Sequence, residues 1–129
     1  MELQIYNAQN SKLAKPGERS VRIGRKSGLI AFSRQATEEF NMKDGTRIVF
    51  GCDKKEPGNW YFGFVEDESG FNLRVKDGAA SFNCTALTHK ILDSLKLESA
   101  AGFLLAKNPE TNDGKEYYAL ITSKPLNPK

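Results

Sequence analysis

Two cysteines and one histidine are all that the 129 residues offer of the strongest metal-ligating and nucleophilic types. Cys52 and Cys84 form no C-x-x-C pair, so no zinc or redox set is spelled out. The start of the chain has no basic-then-apolar leader, and the expectation is two unpaired, reduced thiols in a cytoplasmic protein. His89 has no partner at a catalytic or ligand spacing. Apolar runs fall well short of the roughly 18–20 residues of a membrane helix, which argues against a membrane partner. No G-x-S-x-G, H-E-x-x-H, P-loop or G-x-G-x-x-G occurs. The adjacent acids Glu38-Glu39 and Glu66-Asp67-Glu68 read as solvated surface. These absences predict no metal, no cofactor and no enzyme activity.

What is present is an ordinary globular composition, 39% apolar and 27% charged, on a length that fits one domain. The net charge of +3 is unevenly spread. Lys12, Lys15, Arg19, Arg22, Arg25 and Lys26 face only Glu2 and Glu18 in the first 26 residues. A basic end on a near-neutral body is compatible with a polyanion partner and equally with a solvated loop.

Periodicity places the elements. Val21 and Ile23 alternate with Arg22, a strand pattern, and Leu29–Phe32 resumes it after Gly28. Ser33 is a helix N-cap. Ala36, Phe40 and Met42 then face inward, and Gly45 of Lys43-Asp44-Gly45 is expected to take the positive φ that stops the helix. Thr46–Gly51 and Trp60–Asp67 form a hairpin around Pro57-Gly58. Within it, Trp60, Phe62 and Phe64 share one face by period two and read as core, Tyr61 the other.

The chain then repeats itself. FNLRVKDGAASFN at 71–83 lies over VRIGRKSGLIAFS at 21–33, with Lys76, Gly78 and Phe82 on Lys26, Gly28 and Phe32. Asn83 falls on the cap position of Ser33. A second helix follows, apolar at Leu87, Ile91, Leu92 and Leu95. ESAAGFLLA lies over KDGTRIVFG, and Tyr117–Ser123 over Trp60–Glu66. The predicted fold is mainly β with two short helices: a pseudo-twofold barrel of two β-β-α-β-β repeats, at about 20–66 and 71–123. A basic segment at 1–19 and a frayed tail at 124–129 flank it. Packing the copies into one closed sheet removes exposed edges.

The stretch from Val21 to Phe50 resembles the SpoVT–AbrB swapped-hairpin family. The resemblance rests on Arg22, Gly28, Leu29-Ile30-Ala31-Phe32, the helix to Met42, Lys43-Asp44-Gly45 and the strand Thr46–Phe50. It implies two such units in one barrel, with a double-psi barrel as a related single-chain arrangement, and it brings DNA binding as an associated activity. The chain departs from that pattern. Ser33 and Asn83 stand where the family has proline, and Thr37-Glu38 where it has a basic pair. Leu29 stands where an arginine is common.

Two functions follow. The first is a non-enzymatic module for protein–protein interaction or self-association. The alternative is a nucleic-acid binder of transcription-regulator type, neutralising phosphates with a basic ribbon of Arg19, Arg22, Arg25 and Lys26, joined by Arg47, Arg74 and Lys76. The acidic turn of the first helix favours the former and the basic segment the latter.

Overall fold

The computed structural model describes residues 2–3 and 18–127; Lys12 and Lys15 of the basic segment lie outside them. The chain runs β1 (Ser20–Gly24), β2 (Leu29–Phe32), α1 (Arg34–Glu39), β3 (Arg47–Cys52), β4 (Trp60–Val65), β5 (Phe71–Asn72), β6 (Arg74–Lys76), β7 (Ala79–Asn83), α2 (Thr85–Ser94), β8 (Ala100–Leu105), β9 (Glu110–Asn112) and β10 (Lys115–Leu126). The strands form one sheet in the order β5-β3-β4-β10-β8-β1-β2-β7-β6, with β9 on β10. All its ladders are antiparallel. The two ends of that path, β5 and β6, are joined through Leu73 alone, so the sheet curls into a near-closed barrel.

Alternation along the strands fills its interior. Val21, Ile23, Ile30, Phe32, Ile48, Phe62, Leu73, Ala80, Phe82, Phe103 and Leu105 are all buried. Phe62 stands at the centre of an aromatic cluster, with ring centroids 5.4 Å from Phe32, 5.3 Å from Phe40 and 5.5 Å from Tyr118. Trp60 is buried as its spacing requires, and its indole N–H donates to Ser94 Oγ on α2 at 2.8 Å. Phe64 shares their face but lies toward the rim and stays 37% exposed.

The helices pack against the strand ends. Ser33 caps α1, its hydroxyl accepting from the Ala36 amide at 3.1 Å. Thr37 is buried because its hydroxyl donates to Ser33 O and accepts from the Ala80 amide, both at 2.9 Å. That contact fixes α1 to β7.

Four local expectations need correction. α1 ends at Phe40, with Asn41 taking the left-handed turn (φ 54°), while Gly45 (φ 85°) serves the entry into β3. The N-cap of α2 is Cys84, which makes no side-chain cap bond. Asn83 is committed elsewhere, accepting from Arg74 at 2.9 Å and donating to Ser27 O at 3.2 Å. The stretch laid over β1, which begins at Phe71, breaks at Leu73 into β5 and β6. Finally, the tail does not fray at 124: β10 continues to Leu126, which pairs with Gly102 of β8.

Candidate nucleic-acid interface

The seven cations of the expected ribbon separate into different roles. Arg19 is held by the Glu39 carboxylate of α1 and also donates to Leu105 O at 3.3 Å. Arg25 fastens the chain that follows α2. Its guanidinium donates to Glu98 O at 2.8 Å, Leu97 O at 3.0 Å and the Asp93 carboxylate at 2.5 Å, while its amide donates to Ser99 O at 2.6 Å. Both arginines are committed inside the molecule. Arg47 is half-buried on β3 opposite Val65 and Asn72, beyond the break at Leu73.

Arg22, Lys26, Arg74 and Lys76 are exposed. Strand register lines two of them up. Arg22 pairs with Gly102 on one side and Ala31 on the other; Ala31 pairs with Ser81, and Ser81 with Arg74. One cross-strand row on the outer face of the barrel therefore reads Gly102, Arg22, Ala31, Ser81, Arg74. Three strand spacings, roughly 14 Å, separate the two arginine backbones. The other outward positions are Ser20 and Gly24 on β1, Leu29 on β2, Ala79 and Asn83 on β7, and Lys76 on β6. No carboxylate stands among them. Asn83, by gripping both Arg74 and Ser27 O, brings the Lys26 turn to the same edge of the sheet. Arg22 itself is lightly held, donating to Asn127 O at 3.4 Å.

The small residues of this face were not singled out in the sequence, although period two in Leu29–Phe32 and Ala79–Asn83 separates them from the buried Ile30, Phe32, Ala80 and Phe82. Their size lets a bulky backbone approach the two arginines.

A second feature lies outside the ribbon altogether. The β9–β10 hairpin folds over the outer face of β3 and β4, where Gly63 leaves room for the Tyr117 ring. Between them is a groove of about 620 Å³ lined by Val49, Cys52, Lys54, Tyr61, Glu110 and Tyr117, among others. The Tyr61 phenol is pushed above its ordinary value, first by burial and then by Glu110, Asp53 and Glu56 nearby. Cys52 is exposed and Cys84 partly buried, and both are free thiols. Among the described residues no three His, Cys, Asp or Glu side chains gather to hold a metal, and no helix is long and apolar enough to cross a membrane. No family model, curated protein or solved structure matches this chain.

Proposed function

We propose that the protein is a non-enzymatic barrel module that binds nucleic acid through the outer face of β1, β2, β7 and β6. The observation that carries this reading is the Arg22–Ala31–Ser81–Arg74 row: two outward guanidiniums with small residues between them and no carboxylate among the outward strand positions, Asp44 being held at the edge of β6 by the Val75 amide. Lys26 and Lys76 extend the charge at either end. Such groups neutralise phosphates and carry little base information, so binding is sequence-tolerant.

The same proposal takes the barrel as two β-β-α-β-β repeats of swapped-hairpin type. Matching ladders support it. Val21 pairs with Phe103 and, one repeat on, Phe71 pairs with Ile48. Ala31 and Ser81, equivalent in the sequence, pair with each other. Phe50 pairs with Phe62 as Leu105 pairs with Leu120. In the proposed repeats that last match aligns Trp60 with Tyr118 in place of Tyr117.

Fluorescence anisotropy with labelled duplex and single-stranded oligonucleotides tests the reading. With about three phosphate contacts the log–log salt slope on duplex is roughly −3. Arg22→Ala with Arg74→Ala lowers affinity on all sequences alike and flattens the slope by about two. Absence of binding at about 50 mM salt and 10⁻⁴ M protein, where non-specific binders are still seen, rejects it. A protein partner is the second reading, favoured by an edge of β3 that no described strand pairs beyond Ile48.

A further inference from the structure

Two strands at corresponding places in the chain, β8 and β3, are treated differently by their neighbours. β8 is flanked along its length: Ala100–Leu104 pair with β1, and the Leu105 amide donates to Arg19 O at 2.8 Å. β3 has β5 beside it at Arg47 and Ile48 only. From Val49 to Cys52 that edge has no partner strand among the described residues. The chain that would cover it is diverted. Asp67 accepts from the Ser69 amide at 2.9 Å and from the Ser69 hydroxyl, and the Gly70 amide turns back to Asp67 O at 3.4 Å. Gly70 then crosses tightly over Val65 and Arg47 instead of running along β3.

Ladder parity says which groups are left over. The Asp53 amide donates to Asn59 O at 3.0 Å, on the β4 side. Backbone groups alternate in direction along a strand, so those of Gly51 and Val49 also face β4. The N–H and C=O of Phe50 and Cys52 face away from it, off the edge. They present two donors and two acceptors in strand geometry beside the groove that Tyr61 and Tyr117 line.

We propose that this edge is a peptide-binding site, which takes an extended segment of a partner protein as an added β-strand. The occupant is a strand because a strand, β1 with Arg19 just before it, is what covers the corresponding edge of β8. Main-chain bonds to Phe50 and Cys52 hold it, and one aromatic or branched aliphatic side chain seats between the tyrosines. Lys54 and Lys55 on the rim are balanced by Asp53 and Glu110, while the nearby Glu56 carboxylate is taken up by the Asn59 side-chain amide at 2.7 Å. The segment is therefore uncharged, alternating polar and apolar residues. This site goes beyond the nucleic-acid reading and stands or falls apart from it, since it shares no residue with the Arg22–Arg74 row.

The probe is the capped peptide Thr-Val-Thr-Phe-Thr-Val-Thr, added to the full chain and followed by amide hydrogen exchange and NMR titration. Without peptide, the Phe50 and Cys52 amides exchange fast while those of Val49, Gly51 and Leu105 are protected. Saturating peptide protects Phe50 and Cys52 at least tenfold and shifts the Tyr61 and Tyr117 resonances. Cys52→Pro removes the edge-facing donor at a position where an edge strand tolerates proline, and Tyr117→Ala opens the groove. Each weakens peptide binding at least tenfold with an unchanged circular dichroism spectrum and unchanged oligonucleotide binding. Phe50 and Cys52 amides already protected in a monomer overturn the proposal in favour of cover by the chain itself. Protection that grows with protein concentration alongside a dimeric mass overturns it in favour of a second copy. No response to millimolar peptide overturns it outright.

Discussion

The β1–β2 and β6–β7 hairpins begin from nearly the same letters, Lys-Ser-Gly and Lys-Asp-Gly, and fold differently. In the second, Lys76 pairs directly with Ala79, and Asp77 and Gly78 (φ 53° and 81°) make a two-residue turn of type I′. In the first, the last ladder pair is Ile23 with Ile30, and residues 24–29 form a wider turn that Arg25 ties to the end of α2. β1 is continuous and pairs on both sides. Its counterpart breaks at Leu73 and divides its partners between β3 and β7. A two-residue turn needs less chain than a wide one. The surplus appears as the break, and the hairpin register shifts with it. Arg74, two residues on from the sequence counterpart of Arg22, consequently stands in Arg22's row. Similar letters therefore specify a strand–turn–strand in both places here without specifying the same register.

The break can be tested at its centre. Leu73 is 1% exposed and Ile23, its counterpart on the unbroken strand, is fully buried. Both fill the barrel, so Leu73→Ala and Ile23→Ala should each cost about 3 kcal/mol in chemical denaturation. A cost below about 1 kcal/mol at Leu73 alone shows that the broken strand packs loosely and that the two hairpins differ in stability as well as in register.

The turns sharpen the comparison. Gly28 has φ 68°, and an added Cβ would lie 2.5 Å from Thr85 Oγ1 and 3.1 Å from the Thr85 amide at the start of α2. Gly78 has φ 81°, and its nearest neighbour would be the flexible Arg34 side chain at 3.7 Å. The left-handed backbone costs an alanine about 1–2 kcal/mol at either site. The clash is added only at Gly28. Gly28→Ala should therefore lose about 1 kcal/mol or more beyond Gly78→Ala. Equal losses would show that α2 gives way freely at its first turn.

Much of this was readable beforehand. Alternation in Val21–Ile23, Leu29–Phe32 and Trp60–Phe62 located strands and their buried faces, because period two is written in side-chain type. Ser33 announced α1 by its capping chemistry. Register is written elsewhere. Lys-Ser-Gly and Lys-Asp-Gly differ by one residue, and the wide turn depends on Arg25 reaching carbonyls some seventy positions away. Arg19 and Arg25 looked like members of a ribbon because their partners, Glu39 and Asp93, are distant in sequence. The bare edge of β3 was equally hidden, since it results from a turn at 67–70 that the Asp67–Ser69 bonds close.

Committed and free arginines should separate in stability. Arg25→Ala removes charge-assisted bonds to two backbone carbonyls and Asp93 and should cost about 1–2 kcal/mol. Arg22→Ala, with one long contact to Asn127 O, should stay within about 0.5 kcal/mol. The order reverses for oligonucleotide binding, where Arg22→Ala weakens association and Arg25→Ala does so only through stability. Urea midpoints and anisotropy on the same two variants read both effects. Equal stability losses would place Arg22 in the scaffold and remove it from the interface.

The smallest effect belongs to Glu39. Hydrogen bonds from Arg19 and then Gln35 hold its carboxyl below the ordinary glutamate value of 4.5, outweighing the opposing effect of desolvation. A folded-state pKa lower than the unfolded one makes the ionised form the better bound. Its stabilisation is therefore complete above 4.5 and is lost as acid titrates the carboxylate below that value. Asp67, lowered by the Ser69 hydroxyl and amide, acts in the same direction in the turn after β4. Glu39→Gln abolishes the first contribution and leaves the second. The variant should match the wild type at low pH and fall slightly below it near neutrality, giving a flatter stability profile on the acid side. Both side chains are reached by solvent, so 0.5 M salt should shrink the difference. Thermal midpoints across an acid series measure it. A Glu39→Gln profile that parallels the wild type at every pH would mean the Arg19 contact forms only part of the time, and Arg19 would return to the surface cations available to a polyanion.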